Sequence, residues 1–229
     1  MKELFHIHTY RCKHAKDEAD ELYIKRAVEL GAEKITFTDH APFPGNPFGN
    51  RMDMEELTEY VDTLSELRKR YQDIIDVGIG LEIEYLPSFK DYYKWLKESG
   101  KLDILILGQH MYELADGGYS FDLKSKENEE YGLAQAMIEG MNTGYFSVLA
   151  HPDRIFRRHK EWDENMTKLS LDIINVAMDR KIPLERNLSS MKRKRQYWPQ
   201  FWELVPDAAE VVVGLDAHGV KELEMVLEY

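Results

Sequence analysis

Seven times along this chain of 229 residues, a short run of β-branched and aliphatic side chains is followed by a longer stretch. In most of those stretches the apolar positions recur at helical spacing. That alternation constrains the fold more than any other feature, because strand followed by helix builds parallel pairs with the helices outside. The predicted strands are 3–8, 34–38, 76–81, 102–107, 145–150, 182–184 and 210–215. The fourth is apolar on both faces, as a strand covered on both sides requires. Helices are expected over 17–30, after a cap at Asp53, and over 89–96, 127–141, 169–178, 198–204 and 220–227, while 112–126 reads as a long polar loop. Seven such units around one sheet are best closed as a distorted (β/α)7 barrel, a single domain over 1–229. In such barrels the loops after the strands build the active site.

Composition narrows the partners. A hydrophobic content of 43% is enough for one sizeable core. Met1-Lys2-Glu3 leads into the first strand without a signal-peptide pattern, and no apolar run approaches transmembrane length. The single cysteine, Cys12, excludes an internal disulfide and fits a cytoplasmic protein. Beside His14 it reads as a plain small side chain. A net charge of −12 repels nucleic acid and anionic membranes, so neither is an expected partner. Tyr197, Trp198 and Trp202 could stack bases only on a local basic patch.

The histidines carry the chemistry. Of the eight, six fall at predicted strand C-termini: His6, His8, His40, His110, His151 and His218. His14 lies on the first loop, and His159 reads as a solvated residue in a basic run. In His6-x-His8 the period of a strand sends both imidazoles to one face, and Asp216-x-His218 repeats that logic on the last strand. Barrel closure makes those two strands neighbours. Glu82 and Glu84 share a parity, and Glu82, first after the apolar run, is the expected bridging carboxylate. Glu84 is then a group that orients a ligand.

Read in order, His6-x-His8, His14, Thr38-Asp39-His40-Ala41-Pro42, Gly80-Leu81-Glu82, Gly108-Gln109-His110, Ala150-His151-Pro152-Asp153 and Asp216-Ala217-His218 resemble the motifs of the PHP superfamily. Glu185-x-Asn187 and Trp198-Pro199 are similar to its histidinol phosphatases. The chain departs from that subgroup at Leu215, where a serine is usual, at Ser190-Met191-Lys192, and in stopping after one last helix. The resemblance implies three divalent ions. His6, His8, Glu82 and Asp216 would hold one; Glu82, His110 and His151 the second; and His14, His40 and His218 the third.

Nitrogen and carboxylate donors suit Zn, Fe or Mn. Such ions make a cationic site inside an acidic protein, so a phosphorylated small substrate is compatible with the charge. The chemistry expected is phosphomonoester hydrolysis by a metal-bridging hydroxide. Asp153 and Asp39 are the candidate proton donors. Two basic clusters, Arg154-x-x-Arg157-Arg158 and the run 186–195, offer phosphate-binding candidates in Arg154, Arg157 and Lys192. L-Histidinol phosphate, a substrate of histidine biosynthesis, is favoured. A phosphotyrosine-protein phosphatase, a nuclease and a non-catalytic metal-binding regulatory domain are the alternatives.

Overall fold

A computed structural model describes residues 2–193 and 196–229 of the chain. Lys194 and Arg195, part of the second basic run, lie outside the described residues. Seven strands are present: β1 (Glu3–Ile7), β2 (Lys34–His40), β3 (Asp76–Ile83), β4 (Ile104–Leu107), β5 (Val148–Leu149), β6 (Leu184–Asn187) and β7 (Val211–Gly214). They form one sheet in chain order from β1 to β7. A parallel bridge between Ile7 and Ala217 then returns the segment after β7 to β1. This strand order, with a helical connection in each of the six crossovers, is the topology of a (β/α)7 barrel.

The helices are α1 (Asp20–Glu29), α2 (Glu56–Tyr71), α3 (Lys90–Glu98), α4 (Glu129–Thr143), α5 (Glu164–Arg180), α6 (Leu188–Met191) and α7 (Pro199–Leu204). Helix α2 buries Leu57, Tyr60, Val61, Leu64 and Leu67, the three-and-four spacing of one helical face. Several boundaries differ from those expected. The strands predicted over 145–150 and 102–107 shrink to two and four residues, because hydrophobic runs continue past the point where backbone pairing stops. Asp53 does not cap α2. Its carboxylate pairs with Lys13 at 2.5 Å, and Glu56 instead accepts the Asp53 N–H at 2.7 Å. The final stretch is a 3-10 helix, Val220–Leu227, rather than an α-helix. Within 112–126 there is local order: Glu113 bridges Tyr119, and a 3-10 turn covers Ser120–Asp122.

Two compact units divide the chain. The first contains the segments up to Glu82, Lys94–Leu105 and Gly214–Tyr229. In it the Tyr60 hydroxyl donates to the Gly80 carbonyl at 2.8 Å, fixing α2 against β3. Gly80 leaves no room for a side chain, since a Cβ would meet Ile104 Cγ2 at 2.4 Å. The second unit contains Ile83–Tyr93 and Ile106–Val213. Its core includes Leu133, Ala134, Met137 and Met141 of α4 with Met166, Ile173, Ile174 and Ala177 of α5.

Candidate metal centre

Seven of the nine expected ligands belong to the first unit: His6, His8, His14, His40, Glu82, Asp216 and His218. Backbone register explains their meeting. His40 and Glu82 are paired residues of β2 and β3, so their side chains leave the same face of the sheet. The β1–β2 register jumps from Phe5↔Thr36 to Ile7↔Phe37, which makes His6 the extra residue of a bulge, at φ 67°. The expected strict alternation of His6 and His8 is therefore not what aligns them. The bulge re-aims His6, and His8 follows the last residue of β1. The His8 N–H donates to the Ala217 carbonyl at 2.9 Å and the Ala217 N–H to the His6 carbonyl at 3.2 Å, which locks His-x-His beside Asp-x-His.

The side chains then converge. Glu82 Oε2 lies 3.3 Å from His6 Nε2, 3.4 Å from His8 Nε2 and 3.1 Å from His40 Nδ1. Asp216 Oδ1 lies 3.4 Å from His8 Nε2 and 3.5 Å from His218 Nδ1. Two expected ligands of this unit, His6 and Asp216, occupy the left-handed region, as does His151 of the second unit at φ 31°. Non-glycine residues held there store strain that the surrounding structure must over-determine, a common property of functional sites. Burial lowers the pKa of His8. Burial and the neighbouring His218 lower that of His14, and burial with His8 brings His218 down to about 4. Burial would raise the Asp216 carboxyl, but the adjoining imidazoles of His8, His6 and His218 hold it well below the usual range. Neutral imidazoles beside an ionised carboxylate are the protonation states that metal ligation needs.

The donor set fits divalent ions. His14 Nδ1 is 2.8 Å from the Cys12 carbonyl and His218 Nδ1 is 3.0 Å from the Asp216 carbonyl. A carbonyl can only accept, so each Nδ1 carries the proton and each neutral ring has a bare Nε2. Those two Nε2 atoms face each other at 2.9 Å. Two opposed lone pairs repel, whereas a cation reached by both would be bound. His14, His40 and His218 together have donor atoms within 4.8 Å of one another. Both ring nitrogens of His8 are buried without a regular hydrogen bond, and its 3.4 Å separations are long for one. They match the edge of about 3.3–3.4 Å expected between donors about 2.05 Å from a common ion. Cys12 is fully buried, and burial pushes its thiol up to about 12, which suits the small apolar role expected of it.

The other two expected ligands, His110 and His151, lie in the second unit with ring centroids 5.1 Å apart. Glu84 Oε1 is 3.0 Å from His110 Nδ1, and Arg154 Nη1 is 3.3 Å from His110 Nε2. Arginine only donates, so Nε2 is the acceptor and Nδ1–H points at Glu84, an orientation common to metal-binding histidines. The strained His151 N–H donates to Glu185 Oε2 at 3.0 Å, and Asn187 Nδ2 steadies that same oxygen at 3.1 Å. The Glu185-x-Asn187 motif thus supports the backbone of His151. The sequence marked this motif only through its resemblance to the histidinol phosphatases and gave it no role.

The remaining expected residues are placed less directly. Asp39 is buried, and Thr9 engages both its oxygens, the N–H at 2.7 Å and the hydroxyl at 2.6 Å. Asp153 is buried beneath α7, where Oδ2 accepts from the Trp198 N–H at 2.7 Å and Trp202 Nε1 at 3.1 Å. Burial raises both carboxyls to about 7. Arg157 donates to Glu129 Oε2 at 3.0 Å, an acceptor it shares with Arg158 at 2.7 Å. Lys192 is exposed just beyond α6.

The PHP domain model matches residues 5–189 of the chain. The chain belongs to the PHP family. A histidinol-phosphatase of Bacillus subtilis is 30% identical over 149 residues, covering 62% of this chain and 56% of that protein. A Lactococcus lactis histidinol-phosphatase is 30% identical over 203 residues, 82% of this chain and 72% of its own. Among solved structures, a Lactococcus lactis histidinol phosphate phosphatase complexed with Zn, L-histidinol and phosphate superposes with a TM-score of 0.76. It is 19% identical and covers 99% of this chain and 91% of its own, so it shares the fold.

Proposed function

We propose that this chain is a metal-dependent phosphomonoesterase that hydrolyses L-histidinol phosphate to histidinol and phosphate. The opposed Nε2 atoms of His14 and His218, 2.9 Å apart, are the observation that carries the metal requirement. The PHP motifs and the histidinol-phosphatase relatives carry the substrate. His6, His8, His14, His40, Glu82, Asp216 and His218 would hold ions, for which Zn, Fe or Mn are the suitable elements and three the number the family motifs imply. For His110 and His151 the ligand role rests on those motifs. Divalent ions in such a site supply Lewis acidity and lower the pKa of bound water.

The chain's own residues do the rest. Asp216 and Glu82 provide the negative charge that retains ions, and the strained backbones of His6 and Asp216 hold ligand geometry in advance. Arg154, beside His110, is a donor for a phosphate oxygen. With Arg157 paired to Glu129, we assign phosphate binding to Arg154 first and treat Lys192 as an outer, solvent-facing cation. Asp39 and Asp153, enclosed by Thr9 and by the two tryptophans, position backbone; proton donation to the leaving alcohol would call on an oxygen already engaged, except for Oδ1 of Asp153. The test is kcat/KM for histidinol phosphate, a phosphotyrosine peptide, a nucleotide and an aryl phosphate, with and without a chelator. Preference for histidinol phosphate by at least about tenfold, roughly 1.4 kcal/mol of transition-state binding, is expected, with loss on chelation. Metal binding with no phosphate release from any of the four would point to a regulatory domain.

A further inference from the structure

Arg11 lies in the short connection between two ligands, His8 and His14, and is 2% exposed. Its guanidinium makes four hydrogen bonds and one further ion-pair contact to oxygen. Nε donates to Glu59 Oε2 at 2.8 Å, and Nη1 donates to the Thr9 hydroxyl at 3.1 Å and Asp20 Oδ1 at 2.9 Å. Nη2 reaches Glu59 Oε1 at 3.0 Å and Asp20 Oδ2 at 2.9 Å. The guanidinium also lies over the Tyr10 and Tyr60 rings, at 4.5 and 5.6 Å from their centroids. Asp20 begins α1 and Glu59 stands on α2, so one side chain joins two helices to the loop. A planar fork with four hydrogen bonds in fixed directions can do this; a lysine has three donors and no fixed plane.

The partners are as telling as the number of bonds. Thr9 follows His8 in the chain, and Asp39, which takes both Thr9 donors, precedes His40. The network therefore ties together the sequence neighbours of His8 and His40 and fixes the loop that delivers His14. That loop carries no regular strand; it has a 3-10 turn, Tyr10–Cys12, closed by Lys13 in the left-handed region. Without Arg11, ordering it would have to accompany ion binding, and affinity would fall accordingly.

We infer that Arg11 is a positioning residue for the metal centre, which pre-orders the loop so that His14 joins His40 and His218 around one ion. This rests on the metal-centre reading above. Two carboxylates, Asp20 and Glu59, hold the guanidinium in place, and Asp39 anchors the relay at its far end.

Stepwise affinity for Zn2+ alone, measured on the full chain by competition with a chromogenic chelator, tests this. Arg11→Lys should weaken one binding step about tenfold or more and leave the others within about twofold, with an unchanged far-UV circular dichroism spectrum. Glu59→Gln alters a partner whose side chain is 56% exposed, and should weaken the same step to a smaller degree. Should Arg11→Lys not fold, Glu59→Gln decides alone. Leu64→Ala, a core truncation in α2, is the control for general destabilisation and should leave stepwise affinities unchanged. Wild-type affinities in both network variants, a uniform loss across all binding steps, or the same single-step loss in Leu64→Ala would overturn the inference. Absence of Zn2+ binding by the wild-type chain would overturn the metal centre itself.

Discussion

His14 and His218, 204 residues apart in sequence, present their Nε2 atoms to each other at 2.9 Å, and each has its Nδ1–H directed at a backbone carbonyl. The pair has a consequence for pH. In chelator-treated protein His218 titrates near 4 instead of 6.5, so between those values the unfolded chain binds a proton that the folded chain does not. Folding stability should fall as pH drops from about 6.5 toward 4, by up to about 3 kcal/mol from this residue. Urea unfolding at several pH values checks this. The slope should shrink in His218→Gln, and equal slopes in both proteins would remove His218 as its source.

Glu82 and Glu84 should behave differently. Glu82 Oε2 is within 3.4 Å of three imidazole nitrogens, whereas Glu84 Oε1 accepts from His110 Nδ1 at 3.0 Å. Glu82→Gln should lose most bound metal on dialysis, together with activity. Glu84→Gln should retain metal with about tenfold weaker affinity, as expected for a group that orients a ligand. Elemental analysis after gel filtration distinguishes the two variants.

Truncating the two arginines should separate their roles. Arg154→Ala should raise KM and lower kcat/KM by about 2–4 kcal/mol with the metals in place. Arg157→Ala removes a partner of Glu129 that Arg158 also serves, so the kinetic change should be small and the main effect a lower Tm. Parallel kinetics and thermal melts on both variants test the assignment, and the reverse pattern would make Arg157 the phosphate ligand.

Asp153 offers a test of proton donor against anchor. Asparagine keeps an oxygen that can accept from Trp198 N–H and Trp202 Nε1, so Asp153→Asn should remain folded and active if the residue only anchors α7. Asp153→Ala should lose roughly 1–3 kcal/mol of stability, because two buried donors are left without their acceptor. A large fall in kcat for the asparagine variant, with slower turnover for poor leaving groups, would restore the acid role.

Gly80 should not tolerate a methyl group. Alanine there would press on Ile104, and overpacking of this kind costs about 1–3 kcal/mol. Chemical denaturation of Gly80→Ala measures it.

The alternation of apolar runs with amphipathic stretches by itself determined the seven-stranded parallel order, because side-chain periodicity is local and each crossover leaves few alternatives. Residue type and strand-end placement likewise marked His6, His8, His40, Glu82, Asp216 and His218 as one group. Tertiary structure decided what periodicity cannot encode. The bulge at His6 arises from pairing with β2, and an isolated strand pattern carries no trace of it. Asp39 and Asp153 have the residue type of proton donors, yet their partners lie 30 and 45 residues away, at Thr9 and Trp198. The pairing of Arg11 with both Asp20 and Glu59 needs α1 and α2 brought to the same loop. A long polar side chain takes its role from whichever oxygen or nitrogen the folded backbone delivers to it, and that depends on register and packing between distant segments rather than on its own neighbours in the chain.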